Sequence, residues 1–371
     1  MEPSDSQLLI RDQYRKFMTT ELEAATPAME SGAELPYPFI KRMNAALGAS
    51  LVGDLGDDAE SRALASWART QLIIEIARVN PGFGMSWGVS IGLCAGNIMR
   101  GGTPEQKARY LPDLLRGEKV GCWCLTEPGA GSDAFGSMRT EARRDGKDYV
   151  LNGSKTFITN APYGDVFLVY AKNAEDGSIQ AFIVERGFEG VSVGKPFKKM
   201  GMKSSPTGEV FFDDVRVPAA NLLGAGTRDR DHVRKSLAGE RIGIAVMGYG
   251  IAERCFEIAR DYAKQRVQGG QPIANYQLVQ NRLARMYVAL SNARRVVYEQ
   301  GDVSIADACA GKLYVTEVGT YVATEAIHIL GGYGYLEEQT VERLARDAKL
   351  LELGGGTTEI QILTIARHIL A

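Results

Sequence analysis

Three places in the chain gather residue types that could do chemistry. The first is Thr126-Glu127-Pro128-Gly129-Ala130-Gly131-Ser132-Asp133, with two glycines, two hydroxyls and a strand-like run before it. Such a loop exposes backbone N–H groups and small side chains, so a flat ring or a phosphate can come close. Taken alone, the same residues also make a plain β-turn. The second place is the pair Glu240-Arg241. Glu240, Ile244, Met247, Ile251, Cys255 and Ile258 recur at spacings of 4, 3, 4, 4 and 3, which puts Glu240 at one end of an apolar helical stripe. A carboxylate there loses part of its hydration, and its pKa moves up toward the range useful to a general base. The competing reading is a Glu that faces solvent at the stripe's edge or pairs with Arg241 or Arg234. The third place is Gly354-Gly355-Gly356-Thr357. Thr358-x-x-Gln361 follows it as a capping-box pattern, and Glu352 and Glu359 flank it as weaker candidates for a base.

The elements that must position these residues change character along the chain. Residues 6–118 read as helices. Leu8, Leu9, Tyr14 and Phe17 give one rough stripe, and Trp67 to Ile76 gives another, ended by Asn80-Pro81-Gly82. Met85 to Met99 is apolar, too short to span a bilayer, and reads as a buried helix. Thr103-Pro104-Glu105 opens the next helix with a cap and a first-turn proline. From Val120 to about Val217 the chain turns to β-branched and aromatic runs, such as Val166-Phe167-Leu168-Val169-Tyr170, with Asn152-Gly153 as a turn signal. No long helix interrupts these runs, so this is not a βαβ dinucleotide fold. Past Pro218 and a turn near Gly224, helical periodicity returns and continues to Leu370. The expected fold is a multidomain α+β chain, with an N-terminal helical domain over 1–118, a middle β domain over 119–226 and a C-terminal four-helix bundle over 227–371.

Composition narrows the function classes. The chain has 371 residues, enough for a large core and two or three domains. Its 43 basic and 45 acidic residues leave a net charge of −2, which gives no support to a nucleic-acid partner. The five cysteines are scattered, and Cys122-x-Cys124 has the wrong spacing for a zinc knuckle, so no metal site is expected. A reduced, cytoplasmic setting fits that usage. The first residues lack an apolar signal core, and no apolar run is long enough for a membrane span.

Several motifs, taken in order, resemble the acyl-CoA dehydrogenase family from about residue 80 to 370. They are Trp123 to Asp133, Lys155-Thr156-Phe157-Ile158-Thr159-Asn160, Met200-Gly201-Met202 through Thr207, Phe212-Asp213 to Pro218, and Arg346-Asp347-Ala348-Lys349 through Thr357. The resemblance implies the three-domain fold above and an FAD site. Thr126 and Thr159 would bond the isoalloxazine, Thr159 near N5. Trp123, Leu125, Phe157 and Ile158 would pack against the ring, with Phe157 where tryptophan is common. Gly131 and Ser132 would lie along the flavin phosphates and the substrate entrance. Arg266 would reach the FAD pyrophosphate of a neighbouring subunit, with His328 (commonly glutamine), Gly331, Gly332, Thr357 and Glu359 completing the cofactor pocket. Gly269 replaces a usual phenylalanine, and the usual Gly-Gly stretch is shortened around Leu51 to Asp58.

The family's commoner branch carries its catalytic glutamate at the Gly355 position, and a minority branch carries it at the Glu240 position. The resemblance therefore implies α,β-dehydrogenation of an acyl thioester. Glu240 would abstract the α-proton, flavin N5 would accept the β-hydride, and a backbone N–H near the base would polarise the thioester carbonyl. Arg241 and the three glycines Gly354, Gly355 and Gly356 would line the substrate. A branched or cyclic acyl group is favoured, on coenzyme A or a carrier protein. The other implied partners are an electron-transfer flavoprotein and further copies of the chain in a homotetramer or homodimer. Competing readings are a thioester lyase or desulfinase-like relative, an oxidase, and a non-catalytic subunit of a hetero-oligomer.

Overall fold

The computed structural model of the chain describes residues 3–47, 58–226, 230–298 and 303–371. The Leu51 to Asp58 stretch, apart from Asp58, and the side chain of Arg234 lie outside the described residues. Ser4 starts helix α1 (Asp5–Phe17) with a reciprocal capping box to Gln7. Tyr14 is buried, but Leu9 is 73% exposed, so the inward stripe is narrower than its sequence suggests. A π-helical turn leads into α2 (Glu23–Ser31), and α3 (Tyr37–Leu47) and α4 (Ala59–Val79) follow. Asn80-Pro81-Gly82 is a joint. Asn80 closes α4, and its side chain accepts the Phe83 N–H at 2.9 Å to cap α5 (Pro81–Trp87). A π-helical segment over Gly88–Ala95 and α6 (Gly96–Gly101) continue that run, and Thr103 caps α7 (Pro104–Arg116) with a capping box to Gln106.

The middle region is one seven-stranded sheet. Its strands are β1 (Gly121–Cys124), β2 (Glu141–Asp145), β3 (Asp148–Thr159), β4 (Val166–Asn173), β5 (Ile179–Glu185), β6 (Val191–Val193) and β7 (Thr207–Val217). They run in the order β1-β4-β2-β3-β7-β6, with β5 on β4. Asn152-Gly153 is not a hairpin turn; it lies inside β3. The reversal is at Gly146 (φ 62°), between the paired Asp145 and Asp148. At Gly153 (φ 142°) the register with β7 shifts, and Asn152 exchanges two 2.9 Å hydrogen bonds with Asp214. A bulge and a tight turn both demand unusual backbone, so Asn-Gly serves either.

In the C-terminal region, α8 (Arg230–Gln265), α9 (Gln277–Tyr298), α10 (Ile305–Leu330) and α11 (Thr340–Leu353) form the bundle. A fifth helix, α12 (Thr358–Ile369), packs on α10. Ile244, Met247, Ile251 and Cys255 are all buried along α8. Helices α8 and α10 approach closely because Gly248 faces Gly319, where an added Cβ would sit 3.1 Å from the Gly248 carbonyl.

The Met200–Ser205 loop ties the three regions together. Its Met202 N–H donates to Asp347 of α11 at 2.5 Å, its Ser204 N–H donates to Glu30 of α2 at 3.0 Å, and Asn80 donates to Ser204 Oγ at 2.9 Å. Among the described residues, no helix is long and apolar enough to cross a membrane.

Candidate active site

The loop after β1 is fixed by a buried ion pair. Lys155 Nζ, fully buried on β3, donates to the Leu125 carbonyl at 3.0 Å and to Glu127 Oε1 at 2.9 Å. Burial pulls the Lys155 pKa down, and Glu127 opposes that pull. Burial alone would raise Glu127, but hydrogen bonds from Thr140 and Lys155 outweigh it and hold its carboxyl below the usual range. Glu127 also accepts the N–H groups of Arg139 (2.7 Å) and Thr140 (2.9 Å), and Thr156 N–H donates to the Thr126 carbonyl at 2.9 Å. The loop is therefore stitched to β3, and Thr126 is carried to the strand that bears Phe157 and Thr159.

Phe157 is the unusual residue of this face. It is 68% exposed and has φ 57°. The left-handed region is costly for an aromatic residue, on the order of 1 kcal/mol or more. Here it coincides with a register shift between Lys155 and Ile158, which aims the ring outward, 5.7 Å from the ring of Phe197. Thr126, Thr159 and Trp123 are half-buried, Ser132 is exposed, and a Cβ on Gly131 would meet nothing within 4 Å. Open aromatic surface, hydroxyls and an uncrowded glycine corner fit a flat ring with a phosphate tail. Leu125 and Ile158 depart from expectation. Leu125 is covered by Ala134, Met138 and Tyr170, and Ile158 lies in the sheet core, so both support the face from behind.

Glu240 lies at the N-terminal end of the buried stripe of α8, with partial access to solvent. Burial pushes its carboxyl up to about 7, against the pull of Arg241 and Lys312. Burial likewise pushes the Tyr170 hydroxyl up to about 12, and the Glu240 carboxylate adds to that rise. Gly355 stands directly opposite. It has φ 63°, and an added Cβ would collide with Ile244 Cδ1 and sit 3.4 Å from the Glu240 carboxyl carbon. A glutamate at 355 would thus need the space that Ile244 and Glu240 fill.

Two side chains hold the glycine loop: Lys312, which the sequence did not mark, and Gln361, which it marked only as a capping partner. Gln361, fully buried, donates to the carbonyls of Gly355 (3.2 Å) and Gly356 (2.8 Å), and Lys312 donates to the Gly356 carbonyl at 2.5 Å. The expected Thr358-to-Gln361 capping box is not formed. Thr357 is the N-cap of α12, accepting the Ile360 N–H at 3.4 Å, and Gln361 turns back to the loop. Lys312 had one signal: it is the sole lysine or arginine in the 26 residues of α10.

The alternative bases are placed differently. Glu352 accepts from Thr320 and pairs with Lys349 at 2.7 Å, and Glu359 is exposed in the first turn of α12. Arg241 is 8% exposed, next to Glu240.

Arg266, Gly331 and Gly332 come together elsewhere, lining a cavity of about 550 Å³ with Tyr262, Tyr333 and Leu336. No residue of the β domain lines it. The Arg266 guanidinium lies 5.8 Å from the centre of the Tyr333 ring. His328 does not line this cavity; it is exposed and 3.4 Å from Glu325.

Comparison with known proteins gives the family. The family models for the N-terminal, middle and C-terminal domains of acyl-CoA dehydrogenases match residues 4–118, 122–215 and 231–370. An acyl-CoA dehydrogenase of Bacillus subtilis is 38% identical over 100% of this chain and 99% of its own length. A mitochondrial isovaleryl-CoA dehydrogenase of Oryza sativa is 39% identical over 80% of this chain and 74% of its own. A solved glutaryl-CoA dehydrogenase of Mycobacterium smegmatis in complex with FADH2 superposes with a TM-score of 0.91 at 29% identity, covering 99% of this chain and 95% of that one. The chain belongs to the acyl-CoA dehydrogenase family of FAD-dependent oxidoreductases.

Proposed function

We propose that the protein dehydrogenates a branched or cyclic acyl-CoA, with Glu240 as the base. One observation carries this reading: the Glu240 carboxyl, partly desolvated and raised to about 7, lies 3.4 Å from where a side chain at Gly355 would begin. A general base works best when its pKa lies near the working pH. Bound FAD supplies the acceptor for the hydrogen lost from the β-carbon. Glu240 takes the α-proton, which the thioester carbonyl acidifies. The Gly355 N–H, which no acceptor engages among the described residues, is available to polarise that carbonyl. Arg241 and Lys312 offset part of the cost that burial imposes on the carboxylate.

The absence of a side chain at Gly355 leaves room beside the α-carbon, which favours branched or cyclic groups. The similarity to an isovaleryl-CoA dehydrogenase supports the same class. Trp123, Thr126, Gly131, Ser132, Phe157 and Thr159 hold the flavin on the β face, and Arg266, Gly331 and Gly332 hold the pyrophosphate side of a neighbouring copy's FAD. Separation of the two sets supports a homotetramer or homodimer, as do the exposed apolar Leu278, Tyr287, Val288, Ile362 and Leu363. We also assign domain limits at 118 and 226, an electron-transfer flavoprotein as electron acceptor and a cytoplasmic location. The test is anaerobic bleaching of bound FAD by a panel of acyl-CoA and acyl-carrier thioesters, in wild type and Glu240→Gln. Bleaching by branched acyl-CoA in wild type alone is the expected result. Equal bleaching in both proteins would remove Glu240 from the base role.

A further inference from the structure

Lys312 is 1% exposed, in the middle of a helix that carries no other lysine or arginine. Burying an ammonium is costly unless it is hydrogen-bonded and has opposite charge nearby. Its bond goes to the Gly356 carbonyl at 2.5 Å. Gly356 follows Gly355, whose Cα faces the Glu240 carboxyl and Ile244. The Lys312 ammonium therefore holds, from α10, the glycine loop that stands opposite the base. Gln361 on α12 ties that same Gly356 carbonyl and the Gly355 carbonyl as well, so both loop acceptors point toward donors on helices.

We propose that Lys312 is a positioning residue for proton abstraction: its ammonium clamps the Gly354–Gly356 loop against Glu240 and supplies the fixed positive charge beside which the base ionises. The proposal rests on the reading of Glu240 as the base. The charged and titratable groups around this centre come from four elements. They are Glu240 and Arg241 on α8, Cys309 and Lys312 on α10, Glu352 on α11 and Tyr170 on β4. Glu352 is occupied by Thr320 and Lys349. Burial pulls the Lys312 pKa down to about 8, Glu240 pulls it up and Arg241 pulls it down. Lys312 is thus still a cation near neutrality, where Glu240 must be ionised to act. When Glu240 takes a proton, two cations remain, and they favour the negative charge that develops on the thioester oxygen.

The test uses the FAD-loaded protein and four variants. The Glu240 carboxyl is followed by infrared difference titration without substrate, its C=O band assigned by loss in Glu240→Gln. In Lys312→Met the band should titrate about one pH unit higher than in wild type, because a favourable neighbouring charge is gone. KM for the acyl-CoA should rise as well. Lys312→Arg keeps the charge but not the compact donor, so it should restore the titration and leave KM raised. Gln361→Leu should raise KM with the titration unmoved. An unshifted band in Lys312→Met overturns the proposal, and so does a wild-type KM in Lys312→Arg, which serves if the methionine variant does not fold. Flavin bleaching that survives in Glu240→Gln would instead show that the base reading itself is wrong, and the proposal falls with it.

Discussion

Glu240→Gln should stabilise the folded protein at high pH while abolishing turnover. The glutamine matches the protonated acid in shape and carries no charge. In the folded state the Glu240 carboxyl is raised from 4.5 to about 7. At about 1.36 kcal/mol per pH unit, ionising it in place costs about 3 kcal/mol of stability. Partial solvent access makes that a ceiling. The sign follows from linkage. A carboxyl whose folded pKa exceeds its unfolded value contributes fully below pH 4.5, and the contribution is lost as pH rises through about 7. Wild type and Glu240→Gln should therefore melt together near pH 4.5 and diverge above it. For a chain of this size a melting point moves by no more than about 2 °C per kcal/mol, so the gap should reach at most about 6 °C by pH 8.5. Differential scanning calorimetry of the FAD-loaded proteins across that range makes the comparison. A gap that does not change with pH, or a wild type that is the more stable above pH 7, would refute the reasoning. It would mean that Arg241 and Lys312 stabilise the carboxylate by more than burial costs it.

Three further outcomes are expected. Gly355→Ala should lose about 2–4 kcal/mol of stability, from left-handed backbone strain and collision with Ile244, and a paired Ile244→Ala should recover part of it in a denaturant titration. Lys155→Met leaves the Glu127 carboxylate buried without its cation; stability should fall by about 3 kcal/mol, and the protein should purify with less FAD by its absorbance. Phe157→Gly relieves the positive φ, so the FAD-free protein should hold or gain up to about 1 kcal/mol, while FAD affinity measured by flavin fluorescence drops at least tenfold.

Much of this site is legible in the sequence because its parts are local. The Trp123–Asp133 and Lys155–Asn160 motifs each lie on one strand and its adjoining loop, and helical spacing alone put Glu240 at the end of the α8 stripe. What stayed hidden depends on contacts between elements distant in the chain. Lys312 and Gln361 matter because α10 and α12 bring them to one loop, and no pattern within either helix states that. Asn152-Gly153 misled for a related reason. The dipeptide specifies unusual backbone, and whether that becomes a turn or a bulge was decided by Asp214 on β7. Leu9 reads as core, yet the burial of Tyr14 leaves it outside. Thr357 rather than Thr358 caps α12, a one-residue difference that redirects Gln361 from capping to the active loop.

The Met200–Ser205 loop has a bearing on how this chain can be cut and recombined. Its six residues place a backbone N–H on Asp347 and a backbone N–H on Glu30, its Ser204 hydroxyl accepts from Asn80, and Gly201 lies where a Cβ would come within 2.5 Å of the Arg346 carbonyl. Segment exchange between relatives at the obvious seams would make all of these depend at once on the path of the incoming loop. A donor segment whose loop runs differently would leave Asp347, fully buried and already raised to about 6, without the amide that binds it. A chimera that moves the middle segment should therefore carry Glu30, Asn80 and Arg346-Asp347 with it. By the same logic the middle segment expressed alone would expose this loop without its three partners Glu30, Asn80 and Asp347, and would be a poor autonomous folding unit.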